Sequence, residues 1–293
     1  MGTSASSKGP GGGVPMVPPW VPPVPPSPPP QDGNGAEPTD GGGQDEQSPT
    51  TPNQSVPQQP AQAPPSPIAP AARFGGARLN LGKFGRGGDS QDMQRGIRDY
   101  VRKGYGGRAT AVRRFGGTAA TAGTLDGALS RVARGQAAAP GSPLDPALLA
   151  GRSAREVMDA IIEAVRPADG TQDAEASRAA IKDALSELLT MFPDADLLNL
   201  TEDQRGMAIE RFVALDVYQR AMLDIGKAIQ DKAPTATIAL SRLKEVKEYV
   251  KQTVAAAFRK LQSAGHRVTT GRVNEVVRAA LEETFQVFEG YAL

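Results

Sequence analysis

All imidazole chemistry in this 293-residue chain would have to fall to one residue, because His266 is the only histidine. Any His-based triad, His-ligated zinc site or imidazole acid/base must use it. It sits in the turn SAGHRVTT just after a helical stretch, where a cation interacts favourably with the helix dipole, and a structural role is expected. Cysteine is absent, which removes thiolate nucleophiles, sulfur-ligated metals and disulfides, and suits a reducing compartment. Ser241 and Lys244 spell the S-x-x-K of serine acyl-enzymes, but inside a long amphipathic stretch and with no S-D-N or K-T-G beside them. Asp216 and Asp224 stand four and three residues before Arg220 and Lys227, as helix-face ion pairs do. Around Gly82, GKFGRGG lacks the Lys-Ser/Thr ending of a phosphate-binding loop and follows no expected strand. No catalytic residue, metal site or cofactor is expected, and the chain reads as a partner or substrate of other proteins.

Two further features carry chemistry of another kind. Removal of Met1 is expected before a residue as small as Gly2, and would leave an α-amine with a pKa of about 7.7–8, partly nucleophilic at neutral pH. Gly2 to Ser6 also fits the short, permissive M-G-x-x-x-[ST] myristoylation pattern. From Arg73 onward an aromatic-Gly-Gly element recurs at Phe74, Phe84, Tyr105 and Phe115, interleaved with Arg78, Arg86, Arg108, Arg113 and Arg114. These arginines are candidate nucleic-acid contacts, with the rings stacking on bases. Alternatively the glycines break two short helices, Asp89 to Lys103 and Arg108 to Ala122, and the rings pin them to a core. The helical spacing of Met93, Ile97, Tyr100 and Val101 favours the second.

The elements that must position these groups divide unevenly. Of 26 prolines, 20 lie between Met1 and Ala72, where Trp20 is the only aromatic residue. That stretch cannot bury enough apolar surface to offset an ordering cost of about 1–2 kcal/mol per residue, so residues 1–72 are expected to form a disordered Pro/Gly-rich arm. Val14 to Pro30 suits polyproline II, either as a stiff spacer or as an SH3- or WW-type ligand. Charge is just as uneven: −4 over the arm, +9 over Arg73 to Arg134 and −4 over the remainder, for a net +1. The basic segment 73–134 should therefore associate with acidic partners. A linker is expected over 135–150 and an all-α helical bundle domain over 151–293.

Start and stop signals place the helices of that domain. Ser153 with Glu156 opens one that runs to Val165, and Thr171 caps one that ends at Phe192 before Pro193. Thr201 with Gln204 opens a third, apolar around most of its circumference and thus central, which Pro234 breaks. Thr235 to Ser263 and about Thr270 to Glu289 complete the set. No segment alternates with period two. No apolar run reaches the 18 or so residues of a membrane span and no secretory h-region is present, so cytoplasm is the expected location.

The opening MGTSASSKGPGGGVPMVPPWVPP, the middle FGGTAATAG, and above all DGTQDAEASRAAI and ALDVYQRAMLDIGKAIQDKAPTATIALSRLKEVKEYV resemble the QatB family of the bacterial Qat anti-phage defence system. The resemblance implies action beside a P-loop ATPase (QatA), a QueC-like enzyme (QatC) and a TatD-like nuclease (QatD), with this chain as the non-catalytic member. Defence-associated QueC-like enzymes couple a deazaguanine to a partner's N-terminal glycine. By that analogy Gly2 is the acceptor, with Thr3, Ser4, Gly11, Gly12, Gly13 and Trp20 threading into the enzyme.

Overall fold

The computed structural model describes residues 72–136, 139–266, 268–269 and 271–290. Apart from Ala72, the expected arm lies outside them, and so do Gly2, Thr3, Ser4, Gly11, Gly12, Gly13 and Trp20. The described residues fall in one compact unit, helical throughout and without a strand among them, as the bundle expectation required.

The helices run α1 Gly75–Arg86, α2 Ser90–Asp99, α3 Arg108–Arg114, α4 Gly116–Ala133, α5 Pro146–Leu149, α6 Ala154–Val165, α7 Gln172–Met191, α8 Glu202–Ala221, α9 Lys227–Lys232, α10 Ala236–Ser263 and α11 Val273–Glu289. Single π-helical turns, Tyr100–Gly104 and Met222–Gly226, extend α2 and join α8 to α9. Local chemistry sets most of the ends. Ser153–Glu156 and Thr201–Gln204 each close a reciprocal capping box, Asp89 accepts from the amides of Gln91 and Asp92, and Thr171 and Thr235 cap α7 and α10. After α10, Gly265 adopts φ +86° and the His266 amide bonds back to the Leu261 carbonyl at 2.9 Å, an αL stop that serves the backbone.

α8 is the axis of the bundle. It packs against α4, α7 and α10, and every residue from Phe212 to Val217 is buried. α11 lies between α10 and α4, while α1 packs on α2 and α9. Helices from the basic segment and from the C-terminal stretch therefore line one core, in which Phe84, Phe115, Phe212 and Phe285 are fully enclosed.

The glycines around Phe74 and Phe84 do more than break helices: Gly75, Gly76, Gly82 and Gly85 lie inside α1, a helix the sequence reading did not expect, and Gly87 ends it. GGARLNLGKFGR is a poor helix former taken alone, since each interior glycine costs about 1 kcal/mol relative to alanine. Its glycines serve close approach instead. A Cβ at Gly85 would stand 2.9 Å from the Ile229 carbonyl oxygen, and one at Gly96 on α2 would stand 2.7 Å from Leu81 Cγ. The close contacts bury Leu81 and Phe84 completely, and burying such side chains is worth about 1.5–3 kcal/mol each, enough to outweigh the local cost. The expected helix Arg108 to Ala122 is divided at Phe115, and its second part continues to Ala133.

Candidate functional site

The two π-helical turns face each other. In each, an i→i+5 backbone bond replaces the usual i→i+4, as in the Tyr105 amide to Tyr100 carbonyl bond at 3.2 Å. The extra residue turns side chains out of α-helical register. In this way Tyr100 and Tyr105, from the first turn and its exit, meet Asp224 from the second. Tyr100 Oη donates to Asp224 Oδ2 at 3.1 Å, Tyr105 Oη donates to the same oxygen at 3.2 Å, and the phenol oxygens lie 3.2 Å apart. Asp224 does not make the expected pair with Lys227, which instead holds Asp231 at 2.7 Å. The second π turn is the reason, because it rotates Asp224 toward the rings. The backbone carbonyl of Asp224 is not left open either: the Arg78 guanidinium donates to it through Nε at 2.9 Å and a terminal nitrogen at 2.8 Å.

The recurrent aromatic-Gly-Gly element explains the cluster. Phe74 stacks on Tyr100 at 5.1 Å and meets Tyr105 edge-on at 5.6 Å; Tyr105 meets Phe115 at 6.0 Å, and Phe115 meets Phe285 at 5.1 Å. The neighbouring glycines make the packing possible. A Cβ at Gly104 would stand 2.4 Å from the Phe74 ring, and Gly106 and Gly107 turn the chain into α3 with φ +76° and +104°. Phe84 is separate, capped by the Arg242 guanidinium 4.5 Å from its centroid. Phe74, Phe84 and Phe115 are buried, so none of the three presents a free face.

Burial pushes the Tyr100 phenol well above its ordinary range and raises Tyr105 as well, so both remain protonated donors at neutral pH. Partial burial also raises the Asp224 carboxyl, against the pull of both phenols and of Arg73 and Arg78. Beside Asp224 opens a cavity of about 300 Å³ bordered by Arg73, Arg114, Arg220, Asp173 and Leu223. Guanidiniums and phenols around a recess can hold an anion.

Of the five candidate arginines, only Arg114 reaches this cavity. Arg78 is spent on the Asp224 carbonyl, Arg86 is exposed at the end of α1, Arg108 begins α3, and Arg113 bonds Thr110 Oγ1 at 3.0 Å. The sequence reading missed Arg73, Tyr100 and Tyr105 as a group. An acid inside an otherwise apolar helix was the available signal, but only the fold names its partners. Asp216 does pair with Arg220 at 3.0 Å, as expected, and is fully buried. Ser241 and Lys244 are exposed on α10. His266 is exposed and borders a different recess with Glu202, Asp203 and Glu210, where burial raises the Glu210 carboxyl. Among the described residues no acid/His cluster is arranged to hold a metal ion, and no helix is long and apolar enough to cross a membrane.

By its fold the described unit is an all-α bundle organised around one buried helix. The chain belongs to the family of the Qat anti-phage system associated protein QatB, whose model matches residues 106–288, from the turn before α3 to near the end of α11. No curated protein and no solved structure matches it.

Proposed function

We propose that this chain is a non-catalytic subunit of a bacterial anti-phage defence complex in the cytoplasm, acting as scaffold and as the N-terminal-glycine substrate of a QueC-like partner. The observation that carries this is the family match over residues 106–288. The helical unit docks, and the stretch preceding it presents Gly2 to the partner's active site. Covalent geometry lets the 71 residues before Ala72 reach at most about 250 Å, ample for threading Thr3, Ser4, Gly11, Gly12, Gly13 and Trp20 into another protein. The P-loop ATPase and the TatD-like nuclease complete the assembly.

Intact-mass spectrometry after co-expression with the QueC-like enzyme tests this. An added mass on the peptide that starts at Gly2 is expected, and its loss in Gly2→Glu together with loss of defence. An unmodified terminus, or full defence from Gly2→Glu, would sink the proposal. The exposed Arg86, Arg113 and Arg114 favour a second reading, a nucleic-acid adaptor working through residues 73–134. It requires affinity that falls steeply with salt, and absence of a gel shift at low salt removes it.

A further inference from the structure

The cavity beside Asp224 has unspent positive charge. Arg220 is committed: its guanidinium lies 3.0 Å from Asp216 and 3.4 Å from Asp173, and 5.8 Å from the centroid of Phe115. Asp224 Oδ2 is occupied by both phenols, and Arg78 by the Asp224 carbonyl. Arg73 and Arg114 remain. No carboxylate among the described residues stands within ion-pair distance of either. Arg73 instead lies over the rings of Phe74 and Tyr105, at 4.4 and 5.6 Å, which holds its guanidinium at the cavity edge. Arg114 projects from the last turn of α3. Of the charged groups that line the recess, three arginines (73, 114 and 220) oppose two acids (173 and 224).

We propose that this cavity is a binding site for the phosphate group of a small molecule, gripped by Arg73 and Arg114 with Arg220 behind them.

The geometry selects phosphate over carboxylate. The two uncommitted guanidiniums come from separate elements, the residue two before α1 and the end of α3, with the already paired Arg220 at the end of α8. A planar carboxylate offers two oxygens in one plane and is satisfied by a single guanidinium fork. A tetrahedral phosphate offers oxygens in several directions at once, which suits donors brought from separate elements. At about 300 Å³ the recess has room for the phosphate and a small group attached to it. Arg86 and Arg113, which a tracked polynucleotide backbone would also engage, do not line it. Leu223, half exposed at the rim, supplies an apolar contact for the attached group.

Isothermal titration of the full chain with inorganic phosphate, in a phosphate-free buffer of low ionic strength, tests the site. One phosphate per chain is expected, weakened at least about tenfold by Arg73→Glu and by Arg114→Glu, as loss of a charge-assisted pair implies. Arg131→Glu makes the same change in net charge at the exposed last turn of α4, away from the cavity, and should leave the affinity unchanged. Circular dichroism confirms that each variant is folded; should Arg73→Glu unfold, Arg114→Glu at an exposed position carries the test. Four results would each overturn the proposal: no saturable binding, equal weakening by Arg131→Glu, undiminished binding by Arg114→Glu, or acetate binding as tightly as phosphate. A single-stranded oligonucleotide that binds where inorganic phosphate does not would also overturn it, and would assign the arginines to a polymer.

Discussion

Asp216 is the point at which one side chain joins three helices, α4, α7 and α8, and its contribution can be tested quantitatively. It is fully buried on α8, accepts from Thr118 Oγ1 on α4 at 2.5 Å and from Ser177 Oγ on α7 at 2.6 Å, and lies 3.0 Å from Arg220 Nε. Asp216→Ala leaves two buried hydroxyls without their acceptor and takes from Arg220, only 13% exposed, its closer and buried carboxylate, leaving Asp173 at 3.4 Å. Removing one partner of such a buried pair costs about 3–5 kcal/mol. For a unit of this size that corresponds to a fall in Tm of about 6–20 °C. Ser177→Ala alone removes one hydrogen bond to a charged group and should cost about 1.5–3 kcal/mol. Urea unfolding of the full chain, followed by helical circular dichroism, gives both values and the double-mutant cycle between them. In the Asp216→Ala background Ser177→Ala should cost far less than in the wild type, because the bond it removes is already gone. Additive losses, or a cost below about 1 kcal/mol for Asp216→Ala, would refute the claim that this carboxylate joins the three helices.

The glycines predict changes of opposite sign. Gly85→Ala drives a methyl into the Ile229 backbone and should destabilise by about 1–3 kcal/mol, whereas Gly127→Ala in α4 meets nothing within 4 Å and should stabilise by about 0.5–1 kcal/mol, both read from the urea midpoint. The Glu156 carboxyl is held down to about 2 from its ordinary 4.5, chiefly by the Ser153 amide and then by Arg152. Its folded pKa is depressed, so its stabilising contribution is complete above about pH 4.5 and is lost as pH falls toward 2. Carboxyl NMR should find that midpoint, and Ser153→Ala should move it up. Asp224 titrates in the other sense: its folded pKa is raised, so the group favours the folded state as pH falls through that pKa and disfavours it above. Tyr100→Phe removes a donor to the ionised form and should raise the Asp224 midpoint further; a fall would contradict the hydrogen-bond assignment.

What could be read from the sequence is what is decided within about a turn of helix. Thr171, Thr201 with Gln204, Thr235, and Ser153 with Glu156 place their helices correctly because a cap and the amides it satisfies are three residues apart. The apolar circumference of α8 announced its central position for a similar reason. α1 was illegible because glycine lowers local propensity, while its benefit, contact with Ile229, depends on a residue far along the chain. The candidate site was illegible for the same cause on a larger scale. Tyr100 and Tyr105 stand 124 and 119 residues from Asp224, and each reaches it only because a π turn shifts the register at both ends. Nothing in the local composition of YVRKG or MLDIG marks them as π-helical.

Where the chain enters the helical unit bears on how the two proposed roles relate. A helix start usually frays, since its first amides lack partners. Here the entry is fastened. The Gly75 amide bonds the Ala72 carbonyl at 2.7 Å, Phe74 is buried against Tyr100 and Tyr105, and Arg73 lies across the same rings. Arg73 and Tyr105, which take part in this fastening, also line the cavity. An anion held by Arg73 and Arg114 would tie the entry to α3 and, through Arg220, to α8 and the central pair with Asp216. Ligand in the cavity would therefore act on the contacts by which Arg73 fastens the entry to α1.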